Sequence, residues 1–333
     1  MLDETGLWQD VQELPSSLAA THDARDGVDD VAALLRAEEV RRIVASGNGA
    51  SYYVAVALWL ASLEGAAGPE VLAVPSGLLA RGAFAWRSGD VLLALSSSGE
   101  FRDLLEAIDA GAPQPYAAVT ANAGSTLGSR AGARALVAVE HQRALTHTQA
   151  FCGAVVAVLA VWAAVTSDRS LDAALQGLAT GLESTVGRSR AWAEEIDEVG
   201  ADVAVVFGSG PAWAGALEAA LLLKEVAGLP AEGVETREGA TSAMMALRRG
   251  ALALSLPTGP SDPLLAEAEE ICAARGATVL RAPVDEAADR RLAAVTTFPA
   301  SAALAARIGV NRGLDVDRPS WTEAYYRVAR HTA

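Results

Sequence analysis

Three consecutive serines at positions 96–98 are the residues whose type and placement most invite chemistry. The run Ser96-Ser97-Ser98-Gly99-Glu100 follows the apolar pentad Val91-Leu92-Leu93-Ala94-Leu95 and precedes Leu104-Leu105, where a helical pattern begins. A strand that turns into a helix leaves the first helical amides without intrahelical acceptors. Three hydroxyls beside such amides form a set of neutral donors suited to a tetrahedral oxyanion. The same run also reads as an ordinary helix cap with spare serines. A second turn, Gly47-Asn48-Gly49-Ala50-Ser51, joins the apolar run 43–46 to a helical run from Tyr53 to Leu63. It adds the amides behind Gly49 and the hydroxyl of Ser51. Two such loops in one half of the chain favour anion binding over simple capping.

The paired glycines also raise the possibility of a dinucleotide cofactor. That fingerprint needs a third glycine, and an acidic residue closing the next strand. Tyr52 and Pro75-Ser76 stand in those places, and Trp213 occupies the third-glycine position of a similar turn, Gly208-Ser209-Gly210. No nicotinamide, flavin or other cofactor is expected. The histidines are His22, His141, His147 and His331, and the cysteines Cys152 and Cys272. They show no metal-ligand spacing, so no metal site is expected, and the cysteines read as buried reduced thiols.

The elements that must position these loops occur twice. The Gly47-Asn48-Gly49 turn recurs at Gly208-Ser209-Gly210, 161 positions later, again followed by an apolar helical run. The strand and loop around Ser96 recur at Ala251-Leu252-Ala253-Leu254-Ser255 and Pro257-Thr258-Gly259, at an offset read as 160. Two strand–loop–helix matches at nearly one spacing indicate a duplication. Short apolar strands alternate with amphipathic helices, so the expected fold class is α/β: two tandem, doubly wound, flavodoxin-like parallel-sheet subdomains. Strands are expected at 43–46, 71–74, 91–95, 116–120 and 136–139, then at 203–207, 251–254, 278–280 and 295–298. The expected division is an N-terminal helical arm (1–38), a first domain (39–167), a connecting helix (168–199) and a second domain with a C-terminal tail (200–333).

Composition narrows the partners. The 333-residue chain carries a formal net charge of -15 with no basic run, which speaks against nucleic acid and against an anionic membrane surface. The apolar stretch 150–165 is shorter than a span requires and reads as a buried helix. The N-terminus, Met1-Leu2-Asp3-Glu4, lacks the basic and apolar regions of a signal peptide. A cytoplasmic protein is expected.

From about residue 40 onward the chain resembles the SIS (sugar isomerase) domain family. The resemblance rests on Gly49-Ala50-Ser51, on Ser96-Ser97-Ser98-Gly99-Glu100, and on the helix running from Ala216 through Leu222-Leu223-Lys224-Glu225. Thr148-Gln149-Ala150-Phe151 and Asp315-Val316-Asp317-Arg318-Pro319 add to it. It is strongest toward the members that isomerise or deaminate amino-sugar phosphates. It implies a small anionic sugar as substrate, with Gly49, Ser51, Ser96, Ser97 and Ser98 around its phosphate, and a homodimer. It implies that Glu225 shuttles a proton between C1 and C2, with Glu218, two turns earlier on the helix, in support. The reading that competes for Glu225 is a helix carboxylate paired with Lys224 or Arg237.

Departures from the family pattern shape the remaining expectations. Phe101 replaces a threonine of the phosphate loop and Arg102 follows, placed either in solvent or on a phosphate, sulfonate or carboxylate. Thr241 stands where the family has a ring-opening histidine, and Leu222 where it has a helix lysine. His147, next to Thr148 in the substrate loop, is the candidate replacement acid/base. The expected activity is a sugar-phosphate isomerase or an amino-sugar-phosphate deaminase or deglycase. The alternatives are a noncatalytic sugar-phosphate sensor and an isomerase for a sulfonated or otherwise anionic sugar.

Overall fold

Strands covered on both faces must be apolar throughout, whereas edge strands need not be. The computed structural model follows this rule and describes residues 2–65, 67–196, 199–259, 261–284 and 288–329. The strands are β1 (Arg42–Gly47), β2 (Glu70–Pro75), β3 (Asp90–Leu95), β4 (Ala117–Thr120), β5 (Ala133–Leu136), β6 (Val203–Gly208), β7 (Ala231–Glu235), β8 (Ala251–Leu256) and β9 (Thr278–Arg281). β1, β4 and β8 are buried along their whole length, while β2, β5, β7 and β9 are partly exposed.

Contacts divide the chain into two compact units. One comprises Ser16–Glu140, Gln149–Gln176 and Thr322–Ala333; the other comprises Met1–Pro15, His141–Thr148 and Gly177–Trp321. This cuts the chain differently from boundaries at 38, 167 and 199. The N-terminal arm is divided at Pro15, the helix Arg169–Glu195 is shared, and the segment around His147 belongs with the second sheet. His331 lies outside the described residues.

In the first unit the sheet order is β2-β1-β3-β4-β5, all parallel. This is the flavodoxin-like order, and its switch point lies between β1 and β3. The Gly47 and Ser96 loops therefore leave neighbouring strands on the same edge. At the opposite edge Arg42 and Asp90, register partners, form a bidentate pair at 2.9 and 2.7 Å that fixes the alignment of β1 and β3. The helix Ala50–Leu63 is apolar nearly all round because it is covered by the sheet on one side and by the helix Gln149–Thr166 on the other. That second helix, like the stretch Arg290–Asn311 of the other unit, is long and apolar enough to cross a membrane, but both are mostly buried within the protein.

The second unit repeats the arrangement with one strand fewer, in the order β7-β6-β8-β9. Arg42 pairs in register with Asp90, and Val203 with Ala251, so both strands recur at an offset of 161. The offset of 160 read from the sequence for the second match is corrected by one. At 161, Ser96, Ser97 and Ser98 correspond to Pro257, Thr258 and Gly259.

Three strand expectations also change. β5 ends at Leu136 rather than spanning 136–139, because the Ala138 amide turns to the Thr21 hydroxyl at 2.9 Å instead of continuing the ladder. Residues 295–298 are helical: Ala293–Thr296 forms one turn, and Phe298–Asn311 starts with Pro299 in its first turn, a position that suits proline. β7 was missed because Ala231-Glu232-Gly233-Val234-Glu235 is too polar to read as a strand, as an edge strand is free to be.

Candidate functional site

The first sheet shapes its serine loop with unusual specificity. Gly99 has φ +69, and a Cβ there would lie 1.9 Å from the Ser125 hydroxyl. Only glycine allows the chain to double back so closely. The Gly99 amide donates to Ser96 Oγ at 3.1 Å and the Glu100 amide to Ser98 Oγ at 3.2 Å. Both hydroxyls keep their own proton for a ligand. Two amides expected to point outward are thus held by serines. The Ser97 carbonyl accepts from the Ala121 amide and the Thr120 hydroxyl, 3.0 and 3.1 Å away, and Glu100 Oε1 accepts the Thr126 amide at 2.7 Å. The Ser97 hydroxyl and the Ser97 and Ser98 amides have no partner among the described residues.

Gly49 begins the helix Ala50–Leu63 with φ +53 and open space where a Cβ would be. Ser51 stands half-buried in the first turn of that helix. The structure thus brings Gly49, Ser51, Ser96, Ser97 and Ser98 to one sheet edge. Arg102 stays on its own helix surface, 3.7 Å from Glu106 and 3.9 Å from Asp103. Among the described residues it directs no charge at the serines.

In the second unit the carboxylates Glu218 and Glu225 share the helix Ala212–Glu225. Glu225, half-buried in the last turn, has its carboxyl pushed up to about 7 by desolvation, against a small opposing pull from Lys224. The indole N–H of Trp321 donates to the Glu225 carbonyl at 2.9 Å and ties down the end of the helix. Glu218 is 2 % exposed, its Oε2 has no hydrogen-bond partner, and desolvation followed by the Glu225 charge raises its carboxyl well above the usual range.

His147 and Thr148 lie on a loop of the same unit. Burial lowers the imidazole pKa, and Gln142 Nε2 approaches His147 Nδ1 at 3.3 Å. Burial thus favours the neutral form of the ring. Thr148 is buried. Thr241, by contrast, is exposed, and its hydroxyl is spent on the carbonyls of Arg237 and Glu238 at the end of its own short helix.

Sequence reasoning missed Asp10 and gave Asp317 no structural role, yet these two residues hold the His147 loop. Asp10, buried on the helix Gly6–Gln12, accepts the Arg143 and Ala144 amides at 2.8 and 3.0 Å and the Arg143 guanidinium at 2.8 Å. Asp317 caps that helix by accepting the Gly6 and Leu7 amides, both at 2.8 Å, and its carbonyl accepts the Leu145 amide at 2.9 Å. These partners are more than 130 residues apart in sequence, so no local spacing announces them. Asp10→Ala is expected to lower the unfolding free energy measured by urea denaturation by about 2 kcal/mol for the two lost amide bonds. Asp10→Asn, which keeps one acceptor, should lose less; equal loss in both variants would contradict this account.

The fold is that of sugar isomerase (SIS) domain proteins, with the domain present twice. No protein-family model matches the sequence, and no curated protein matches it. Solved structures share the architecture over nearly the whole chain. Glucosamine-6-phosphate deaminase from Thermotoga maritima aligns at a TM-score of 0.75 and 20% identity, covering 95% of this chain and 98% of that one. The C-terminal domain of glucosamine-fructose-6-phosphate aminotransferase from Francisella tularensis gives 0.81 and 19%, again covering 95% and 98%. Tagatose-6-phosphate ketose/aldose isomerase from Escherichia coli gives 0.75 and 18%, covering 96% of each chain.

Proposed function

We propose that this chain is a sugar-phosphate isomerase or an amino-sugar-phosphate deaminase or deglycase, moving a proton between C1 and C2 through an enediol-type intermediate. The observation that carries the reading is a division of labour between the duplicated halves. The serine loop exists only in the first, since Pro257, Thr258 and Gly259 replace it in the second, as Ala212 replaces Ser51. Among the described residues, the carboxyl raised to about 7 lies in the second. Each half has kept one ingredient of a reaction that requires an anchored anion and a base active near neutrality. Ser51, Ser96, Ser97 and Ser98 take the phosphate; Glu225 takes the proton. The structures that share this fold include phosphosugar isomerases, a deaminase, an aminotransferase domain and one described as a sugar binding protein. The protein is read as a homodimer on the family resemblance and as cytoplasmic on the buried thiols Cys152 and Cys272.

A noncatalytic sensor is the second reading, favoured by the exposed, self-bonded Thr241 in place of a ring-opening group. Incubation in deuterium oxide with glucosamine 6-phosphate, fructose 6-phosphate and a fructosamine 6-phosphate separates the two. Deuterium at C1 or C2 of at least one sugar, with or without release of amine, is the expected result. Tight binding of these sugars with no exchange on any of them would establish the sensor.

A further inference from the structure

The duplication supplies a reference for what the helix Ala212–Glu225 needs merely to fold. Its sister, Ala50–Leu63, packs on its own sheet in the same way, and the offset of 161 places Ala57 opposite Glu218 and Ala61 opposite Leu222. Ala57 and Ala61 are buried, as are Glu218 and Leu222. The architecture is therefore content with a methyl group where Glu218 stands. A buried carboxyl without compensating bonds is costly, so its presence calls for a use outside packing.

The surroundings say in which form it is used. Leu222, one turn on, offers no cation. Among the elements packed on this helix, Arg291 is paired with Asp289, Arg307 donates to the Ile196 carbonyl, and Glu235 accepts the Arg237 and Glu238 amides. The charges that act on Glu218 are Glu225 and, weakly, Lys224. With the Glu225 carboxylate acting on it and, among the described residues, no cation bonded to it, Glu218 holds its proton, while Glu225, nearer solvent, gives up its own first. The two carboxyls are pushed apart in acidity on one rigid helix, as an acid and a base must be.

We propose that Glu218 is a second catalytic residue, the neutral acid that works with Glu225 in the enediol step. This rests on the reading of the protein as a sugar-phosphate enzyme. In the aldose-to-ketose direction the Glu225 carboxylate takes the C2 proton as the C2–H electron pair forms the C1–C2 double bond. The C1 carbonyl π pair moves to O1, which receives the Glu218 proton. Collapse reverses the roles: the Glu218 carboxylate takes the O2 proton, the carbonyl forms at C2, and Glu225 returns its proton to C1. Both residues end as they began, and no oxidant or further reactant is required.

Two measurements test this. Infrared spectra of the ligand-free protein between pH 5 and 9 should show a protonated-carboxyl band that persists above pH 7.5 and is absent from Glu218→Gln. In the deuterium assay, Glu218→Gln should lower exchange by about 100-fold or more with KM little changed. The alkaline limb of its pH profile should disappear and the limb at about 7 from Glu225 should remain. Glu218→Ala, the sister helix's residue, gives a second variant expected to fold and to show the same loss. Absence of the band, or exchange within about twofold of wild type in either folded variant, overturns the proposal and leaves the sugar-phosphate reading standing. A wild-type protein that keeps the band but exchanges no sugar overturns that reading, and this assignment with it.

Discussion

Glu225→Gln is expected to lower proton exchange at C1 and C2 by about a thousandfold while sugar-phosphate affinity stays within a few-fold. The amide matches the carboxylate in shape but cannot accept a proton from carbon, and the phosphate contacts proposed above are assigned to the serine loops. The wild-type rate should rise with pH through about 7, because only the ionised carboxyl is a base, before it falls on the alkaline limb assigned to Glu218. Stability should move in the opposite direction. Glu225 keeps its proton longer folded than unfolded, where its value is near 4.5. The native state thus binds more protons between those values and loses stability as pH rises through them. Glutamine carries no such penalty, so Glu225→Gln should be less active yet more resistant to urea than wild type at pH 8. Stability gained at a site that gives up activity is the mark of a strained functional group. An unchanged exchange rate, or a variant less stable at pH 8, would remove Glu225 from the role of base.

How much of this was legible from residues alone depended on where the information lay along the chain. β1, β3, β4, β6 and β8 were readable because burial on both faces demands uninterrupted apolar runs, and the loops after β1 and β3 were readable because serines and glycines cluster there. β7 was not, since an edge strand tolerates Glu232 and Glu235. The helical fate of 295–298 was obscured by apolar residues that suit either state over so short a stretch. The serine loop was found, but not its support from Thr120 and Glu100, whose bonds join one βα loop to the next, nor from Ser125, against which Gly99 is packed. Asp10, Asp317 and Trp321 act across still longer separations. Glu218 was seen as an accessory on the helix; its missing partner emerged only once Leu222 and the packed neighbours were in place.

The serine loop itself yields a prediction on stability, because its shape rests on one residue without a side chain. Gly99→Ala is expected to destabilise the fold by about 3 kcal/mol or more. Positive φ alone costs alanine about 1 kcal/mol, and the remainder comes from the collision with Ser125. That hydroxyl donates to the Asn122 carbonyl at 2.7 Å and caps the helix Thr126–Arg130 by accepting the Gly128 amide at 3.1 Å. Moving it releases both bonds. Gly82→Ala supplies the comparison: its φ of +64 is similar, but nothing lies within 4 Å of the new methyl group, so only the backbone strain should appear. Urea denaturation of the two variants therefore separates strain from crowding. Ser125→Gly in the Gly99→Ala background should recover part of the loss by clearing the contact. Equal midpoints for Gly99→Ala and Gly82→Ala would show that the loop is not braced against Ser125, and the donor geometry assigned to Ser96 and Ser98 would lose its support.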